Sequence, residues 1–246
     1  MTARTVAFVG VAGGVGTTRL TVECGATLAR AGRDVTIVET AFATQGLAAY
    51  VDEQVGADAT ALATGDADLG ETLYDPYDLP GRLSLCPARA PFERVARAQT
   101  AAAARRLERQ LAAAALSHDV ALVDTPPVSG NQALAAVDAA DRVVVVVPDD
   151  PRGPDALARM RERLRDIGAS ADAVLATRVT GDAIPDADAA VPESDVADPR
   201  DCPACASPDD TFAPAVLEAT EAALGTDIDL DLDIESDSRL DGILGS

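Results

Sequence analysis

The sequence predicts an α/β fold with a doubly wound parallel sheet and an acidic C-terminal extension. Short β-branched and aliphatic runs alternate with longer amphipathic patterns, which is typical of strands buried on both faces between helices. No hairpin signal joins one strand candidate to the next, so each pair requires a crossover connection. A glycine-rich turn follows the first strand and precedes the first helix. Together these three observations favour a doubly wound sheet over a sandwich or barrel.

Apolar periodicity assigns most of the chain to strands or helices. The predicted strands are Thr5–Val9, Val35–Val38, Leu83–Cys86, Val120–Val123, Arg142–Val147 and Ala173–Thr177. The predicted helices are Thr17–Ala31, Phe42–Val51, Ala57–Thr64, Phe92–Leu116, Asn131–Val137, Ala156–Ile167 and Phe212–Leu224. Residues 65–80 are rich in Asp, Gly and Pro, which predicts a loop.

The chain changes character after Gly181. Residues 184–210 are rich in Pro, Asp and Ala and predict no regular element. Asp227–Glu235 alternates acidic and aliphatic residues, and two interpretations stay open: a solvated charged tail or an edge strand. We therefore expect one domain over residues 1–181. Residues 182–246 form the acidic extension, with a terminal helix that packs on the same domain.

The charge distribution narrows the classes of partner. The 246 residues carry a net charge of −21, and all 20 basic residues are arginine. Residues 182–246 hold 18 of the 41 acidic residues and only two arginines. An acidic surface of this kind is typical of a halophile, and it repels nucleic acid and anionic lipid. The chain also has neither an apolar run of membrane-spanning length nor a signal-peptide pattern, which predicts a cytoplasmic protein.

The stretch from Thr5 to Arg19 predicts a phosphate-binding cradle. It consists of a strand, a turn containing Gly10, Gly13, Gly14 and Gly16, and the start of a helix. Such glycines let successive backbone N–H groups face one concavity, and the helix N-terminus adds partial positive charge. An ordinary P-loop continues with lysine, whereas this sequence continues with threonine.

The order of several motifs resembles that of the MinD/ParA ATPases, which are P-loop NTPases with a deviant Walker A loop, G-K-G-G-x-G-K-T-T. That loop corresponds to Val11–Arg19, and the family's Asp-x-Asp corresponds to Glu39–Ala41. Asp124–Pro127 matches the Walker B end, and Ala176–Arg178 lies where the family has an Asn-Arg that reads adenine. The resemblance extends to about Gly181, and it implies a P-loop NTPase fold.

The resemblance also implies ATP with magnesium as the cofactor. The cofactor-binding residues carried over from the family are Gly13, Gly14, Val15, Gly16, Thr17, Thr18 and Asp124. Of these, the Thr18 hydroxyl and the Asp124 carboxylate are the implied magnesium ligands. Glu39 keeps an acid at the first position of Asp-x-Asp and is the remaining catalytic candidate.

Four positions depart from the family pattern. Ala12 replaces the signature lysine, Thr17 the P-loop lysine, Ala41 the second acid and Thr177 the base-reading asparagine. Phosphoryl transfer depends on positive charge around the transferred group, so the loss of both lysines predicts weak or absent hydrolysis. Arg19 follows two positions later, where the helix turns its side chain away from the loop.

Cys202 and Cys205 form a C-x-x-C pair, which suggests metal or redox chemistry in the absence of a signal peptide. Zinc and iron–sulfur sites usually need four ligands, which a symmetric dimer with two such pairs would supply. The C-P-x-C spacing is similar to that of the Mrp-type iron–sulfur carriers. The alternatives are free thiols or a pair that pins a loop.

These features favour a MinD/ParA-like switch or scaffold in cell division or intracellular positioning. We expect protein partners, including a possible homodimer. The acidic charge predicts no direct binding of nucleic acid, and the acidic residues 227–246, which lack a basic amphipathic helix, predict no membrane binding. Two alternatives stay open. One is an active ATPase with an atypical P-loop, and the other is a dimeric zinc or iron–sulfur carrier.

Overall fold

Seven parallel strands form one sheet in the order β3-β2-β4-β1-β5-β6-β7. The structure is a computed structural model that describes residues 4–181, 184–206 and 212–230. The strands are β1 (Arg4–Gly10), β2 (Asp34–Glu39), β3 (Arg82–Cys86), β4 (Val120–Thr125), β5 (Arg142–Pro148), β6 (Ala173–Val179) and β7 (Ala189–Pro192). The predicted doubly wound α/β class is confirmed.

Helices cover both faces of the sheet. They are α1 (Thr17–Arg30), α2 (Ala59–Thr64), α3 (Phe92–Ala98), α4 (Ala101–Ser117), α5 (Asn131–Ala139), α6 (Gly153–Asp166) and α7 (Phe212–Leu224). Successive residues of β1 point to opposite faces, as the period of two requires. Val6 and Phe8 belong to the core beneath α1 and α7, whereas Ala7 and Val9 belong to the core beneath α4, α5 and α6.

The strand order brings the ends of three strands together. β4 lies between β1 and β2, and its Asp124 is paired with Phe8 of β1 and Glu39 of β2. All three strands run in the same direction, so their carboxyl ends share one edge of the sheet. Ligands bind at this edge in doubly wound folds, and the glycine-rich turn after β1 lies here.

The predicted helix Phe92–Leu116 is in fact two helices. The chain leaves α3 at Gln99, and the side chain of Thr100 accepts a hydrogen bond from Ala103 N at the start of α4. Threonine is a good N-cap because its hydroxyl satisfies an amide that has no partner within the helix. The continuous alanine-rich pattern hid this boundary.

The helix predicted over Phe42–Val51 is a short 3-10 turn, Gly46–Tyr50. The loop predicted over residues 65–80 contains a similar turn at Leu69–Thr72 and an isolated bridge between Tyr74 and Leu85. The prediction of Ala57–Thr64 is two residues too long, because Asp58 is the N-cap of α2 and accepts from Ala61 N.

The prediction of no regular element over residues 184–210 was wrong for residues 184–206, and residues 207–210 lie outside the described residues. β7 pairs with β6 in parallel, and 3-10 turns form at Pro199–Asp201 and Ala204–Ala206. A four-residue edge strand is too short to give a periodic signal. Helix α7 is confirmed, and it packs against α1 and β7.

Part of the alternating stretch Asp227–Glu235 lies outside the described residues. Residues 227–230 have no helix or strand, and residues 231–235 lie beyond the described range. Across the part of the chain that the structure describes, no helix combines the length and the apolar character that a bilayer span requires.

The packing of α4 gives a matched test of the core. Leu107 is fully buried, whereas Leu116 on the same helix is 88% exposed. We expect Leu107→Ala to lower the free energy of unfolding by about 2–5 kcal/mol, since it removes packed methyl groups and leaves a cavity. Leu116→Ala should change it by less than about 0.5 kcal/mol. Urea unfolding of both variants measures the difference, and equal losses would contradict the described packing.

Candidate functional site

The turn between β1 and α1 has the geometry of an anion cradle. Gly16 is the residue before α1 and has φ of 90°, a left-handed conformation that favours glycine. Ala12, Gly13 and Gly14 are exposed, so the turn faces solvent. The first-turn amides of α1 have no acceptor within the helix, and the helix dipole adds partial positive charge there. This turn can therefore accept phosphate oxygens through its backbone.

Thr17 contributes no charge to this cradle. A methyl group built on Gly10 would come within 2.5 Å of the Thr17 Oγ1 atom, so this hydroxyl lies against the end of β1. Only glycine permits such a close approach at position 10. The position where a P-loop has its lysine therefore holds a short side chain packed on the sheet.

Thr18 and Asp124 meet directly beneath the turn. The Thr18 hydroxyl donates a 2.6 Å hydrogen bond to Oδ2 of Asp124. Burial raises the pKa of Asp124 to about 6, and the bond from Thr18 opposes that rise. A hydroxyl and a carboxylate are hard oxygen donors of the kind that magnesium prefers. This pair therefore fits the magnesium ion of a nucleotide complex.

Glu39 lies beside Asp124 on the neighbouring strand and is fully buried. Its carboxyl group accepts hydrogen bonds from Ala88 N at 2.8 Å and from Leu47 N at 3.3 Å. Burial, and then the charge of Asp124, raise the pKa of Glu39 to about 8. Glu39 therefore joins two loops at the sheet edge, and its catalytic role stays a prediction. Ala41 supplies no second acid.

A cavity of about 260 Å³ opens beside the cradle. Its lining includes Gly16 on one side and residues 191–194, 196 and 197 on the other. The cavity therefore adjoins the turn that can accept phosphate oxygens. The side chains of Arg19 and Tyr50 also reach it. The lining residues that follow β7 are not among the predicted site residues, because no sequence motif marks them.

Thr177 supports the cradle from β6. Its hydroxyl donates a 2.8 Å hydrogen bond to the carbonyl oxygen of Val15, inside the glycine-rich turn. The next residue, Arg178, lines the cavity with a left-handed φ of 58°. The residue that replaces the family's asparagine therefore holds the loop in place.

The structure does not support the zinc or iron–sulfur hypothesis for Cys202 and Cys205. Both thiols are free and buried, and they belong to the core beneath α1 and α7. Burial raises the pKa of Cys202 to about 11 and that of Cys205 further, which disfavours the thiolates that metals bind. Within residues 4–181, 184–206 and 212–230, no three His, Cys, Asp or Glu side chains are grouped for a metal ion.

Most of the predicted site residues do come together. The turn contains Gly13, Gly14, Val15 and Gly16, and Thr17 and Thr18 begin α1 directly after it. Asp124 and Glu39 lie at the same sheet edge. Glu23, a fully buried acid on α1 that binds Arg19, is not among the predicted site residues. An acidic residue on the apolar face of a helix is the only signal that marks it.

Comparisons with known proteins agree with this geometry. A family model described as an AAA domain matches residues 3–176. The septum site-determining protein MinD from Pyrococcus horikoshii OT3, solved with Mg-ADP, is 20% identical, with a TM-score of 0.71 over 88% of this chain and 95% of that one. The MinC:MinD cell division complex of Aquifex aeolicus gives 19% identity and a TM-score of 0.75, over 93% and 98% of the two chains.

A ParA family ATPase from Chlorobium tepidum TLS is 15% identical, with a TM-score of 0.63 over 92% of this chain and 83% of that one. No curated protein sequence gave a match. At these identities the solved structures establish the shared fold. Because the family model covers residues 3–176 of 246, the chain belongs to the AAA-domain family, with the fold of the MinD/ParA-type P-loop ATPases.

Proposed function

We propose that this protein is a MinD/ParA-like nucleotide switch or scaffold that binds nucleotide with magnesium and has weak or lost ATPase activity. The Thr18–Asp124 pair beneath the glycine-rich turn is the observation that carries the proposal. It keeps both magnesium-type oxygen donors in contact, next to a cavity that extends away from the cradle.

In the proposed site, backbone amides bind the phosphates and side chains bind the magnesium ion. Amides of Gly13–Thr18 would hold the phosphates, and Thr18 with Asp124 would hold magnesium. The bound ion would neutralise phosphate charge. Burial and the charge of Asp124 raise the pKa of Glu39, which favours its neutral form and lowers the negative charge beside the proposed phosphates. Thr177 keeps the turn in shape through Val15.

The side chains at the two lysine positions explain the proposed loss of hydrolysis. The Thr17 side chain packs against β1, and the side chain of Ala12 is only a methyl group on the exposed turn. Neither supplies a cation for the charge that develops on a transferred phosphoryl group. Backbone amides still favour a bound anion, so the site can bind nucleotide without hydrolysing it.

A positional role follows from the proposed family function. MinD is described as septum site-determining in one neighbour and is in complex with MinC in another. We propose that this protein likewise acts in the cytoplasm, in cell division or intracellular organisation, through protein partners and a homodimer. Its net charge of −21 suits a halophile and disfavours direct contact with nucleic acid or anionic lipid.

Nucleotide binding should depend on Asp124. We expect Asp124→Asn to weaken Mg-ADP binding by about tenfold or more, since the carboxylate that holds magnesium is lost. Asp119→Asn is the matched control, because Asp119 precedes the same strand at its other end and accepts only an amide from Asp34 among its described contacts. Calorimetry in molar salt measures both variants. Tight Mg-ADP binding by Asp124→Asn would contradict the magnesium site.

The missing lysine should limit both affinity and turnover. We expect Thr17→Lys to bind Mg-ATP about tenfold more tightly, because it returns a cation to the cradle. Thr17→Val, which adds no charge, should stay within about twofold of the wild-type affinity. Phosphate release by the wild type should match that of Asp124→Asn. Micromolar Mg-ATP affinity combined with turnover that Asp124→Asn abolishes would contradict the proposed loss of activity.

The buried acid pair should make stability depend on pH. The folded protein keeps a proton on Glu39 up to a pKa of about 8, whereas a glutamate in the unfolded chain releases it near pH 4.5. The folded state therefore binds more protons between these values, and the free energy of unfolding should fall as pH rises from about 5 to 8. Glu39→Gln should flatten this slope above about pH 7, where Asp124 contributes little because its pKa is about 6. Urea unfolding across this range tests it, with exposed Glu93→Gln as the control.

A further inference from the structure

A buried ion pair on α1 holds the segment that closes the cavity. Arg19 and Glu23 lie one turn apart on α1, and the Arg19 Nε atom is 2.6 Å from Oε1 of Glu23. The Glu23 side chain is fully buried, whereas that of Arg19 is 21% exposed. We name residues 193–205, which follow β7, the wall segment. Its first part lines the cavity beside the cradle.

Arg19 binds the start of the wall segment. One terminal nitrogen donates to the carbonyl oxygen of Val196 at 2.7 Å, and the other donates to the Ser194 hydroxyl at 3.2 Å. The guanidinium also lies 5.9 Å from the centre of the Phe212 ring at the start of α7. Arg19 therefore connects α1 to the wall segment and to the start of α7.

Glu23 binds the end of the wall segment. Its Oε1 atom accepts from Ala204 N and its Oε2 atom from Cys205 N, both at 2.9 Å. With Arg19, the carboxylate has three donors, which offset the cost of burying its charge. The C-x-x-C motif thus has a structural explanation, because the turn that Glu23 holds directs Cys205 into the core.

The wall segment is consequently fixed to the helix that begins at the cradle. Its two ends are held by residues one turn apart, on the helix whose first turn would bind phosphate. We propose that Arg19 and Glu23 are positioning residues that set the affinity of the site for the nucleoside part of a nucleotide. This inference rests on the proposed nucleotide binding. It assigns the phosphates to the cradle and the nucleoside to the wall held by this ion pair.

Glu23→Gln tests the inference with little change in side-chain size. The amide keeps one acceptor oxygen and replaces the other with a donor, so one of the three partners loses its bond. Thr220→Val is the matched control, since Thr220 is a buried polar residue of α7 whose hydroxyl bonds Val216 O and the Cys24 thiol rather than the wall segment. Two probes divide the site: Mg-ADP, and magnesium pyrophosphate, which has no nucleoside.

We expect Glu23→Gln to weaken Mg-ADP binding about tenfold and to leave magnesium pyrophosphate within about twofold, as loss of one buried charged hydrogen bond suggests. Without any ligand, the amides of Ala204 and Cys205 should exchange hydrogen at least about tenfold faster than in the wild type. Thr220→Val should bind both probes as the wild type does, and its two amides should keep their protection.

Three results would overturn the inference. Equal weakening of both probes would show that Glu23 acts on the whole site. Unchanged Mg-ADP affinity, or unchanged exchange at Ala204 and Cys205, would show that the ion pair does not hold the wall in place. The proposed function would survive all three. Wild-type protein that binds neither probe would overturn the proposed function, and this inference with it.

Discussion

The hydrogen bond from Thr18 to Asp124 joins the two parts of the chain on which the site depends. Thr18 lies in the first turn of α1, and Asp124 lies near the end of β4, 106 residues later. The bond can form only because β4 lies next to β1 and runs parallel to it. Sheet topology therefore determines where the glycine-rich turn sits, and the same bond keeps both magnesium-type oxygens facing each other.

The raised pKa values of Glu39 and Asp124 and the threonine at the P-loop lysine position both concern the charge balance of the site. Among the described residues, neither Glu39 nor Asp124 has an ion-pair partner, although both are buried. Without a nearby cation, burial favours the neutral carboxyl group, and the pKa of each acid rises. A bound magnesium ion would take the place of these protons.

Local pattern was enough to predict the sheet and the cradle, since buried parallel strands are continuous apolar runs and the glycine spacing is distinctive. Local pattern did not predict the element boundaries that tertiary contacts determine. Nothing local shows that Thr100 ends one helix and starts another, or that Ala189–Pro192 adds an edge strand. The contact between Glu23 and Cys205 spans 182 residues, so it leaves no local signal in the sequence. The C-x-x-C spacing therefore suggested a metal site, whereas in the structure the Glu23 carboxylate holds this turn.

Two of the four departures from the family pattern have their own structural roles. Thr177 binds the carbonyl oxygen of Val15, and Thr17 packs its hydroxyl against Gly10. Both contacts hold the glycine-rich turn to the sheet without any ligand charge. A loop kept in shape by neutral hydroxyl groups still presents its amides to an anion, and the described residues Gly13–Thr18 include no cationic side chain. Thr17 and Thr177 therefore keep the turn in a shape that suits anion binding, and neither side chain supplies a cation.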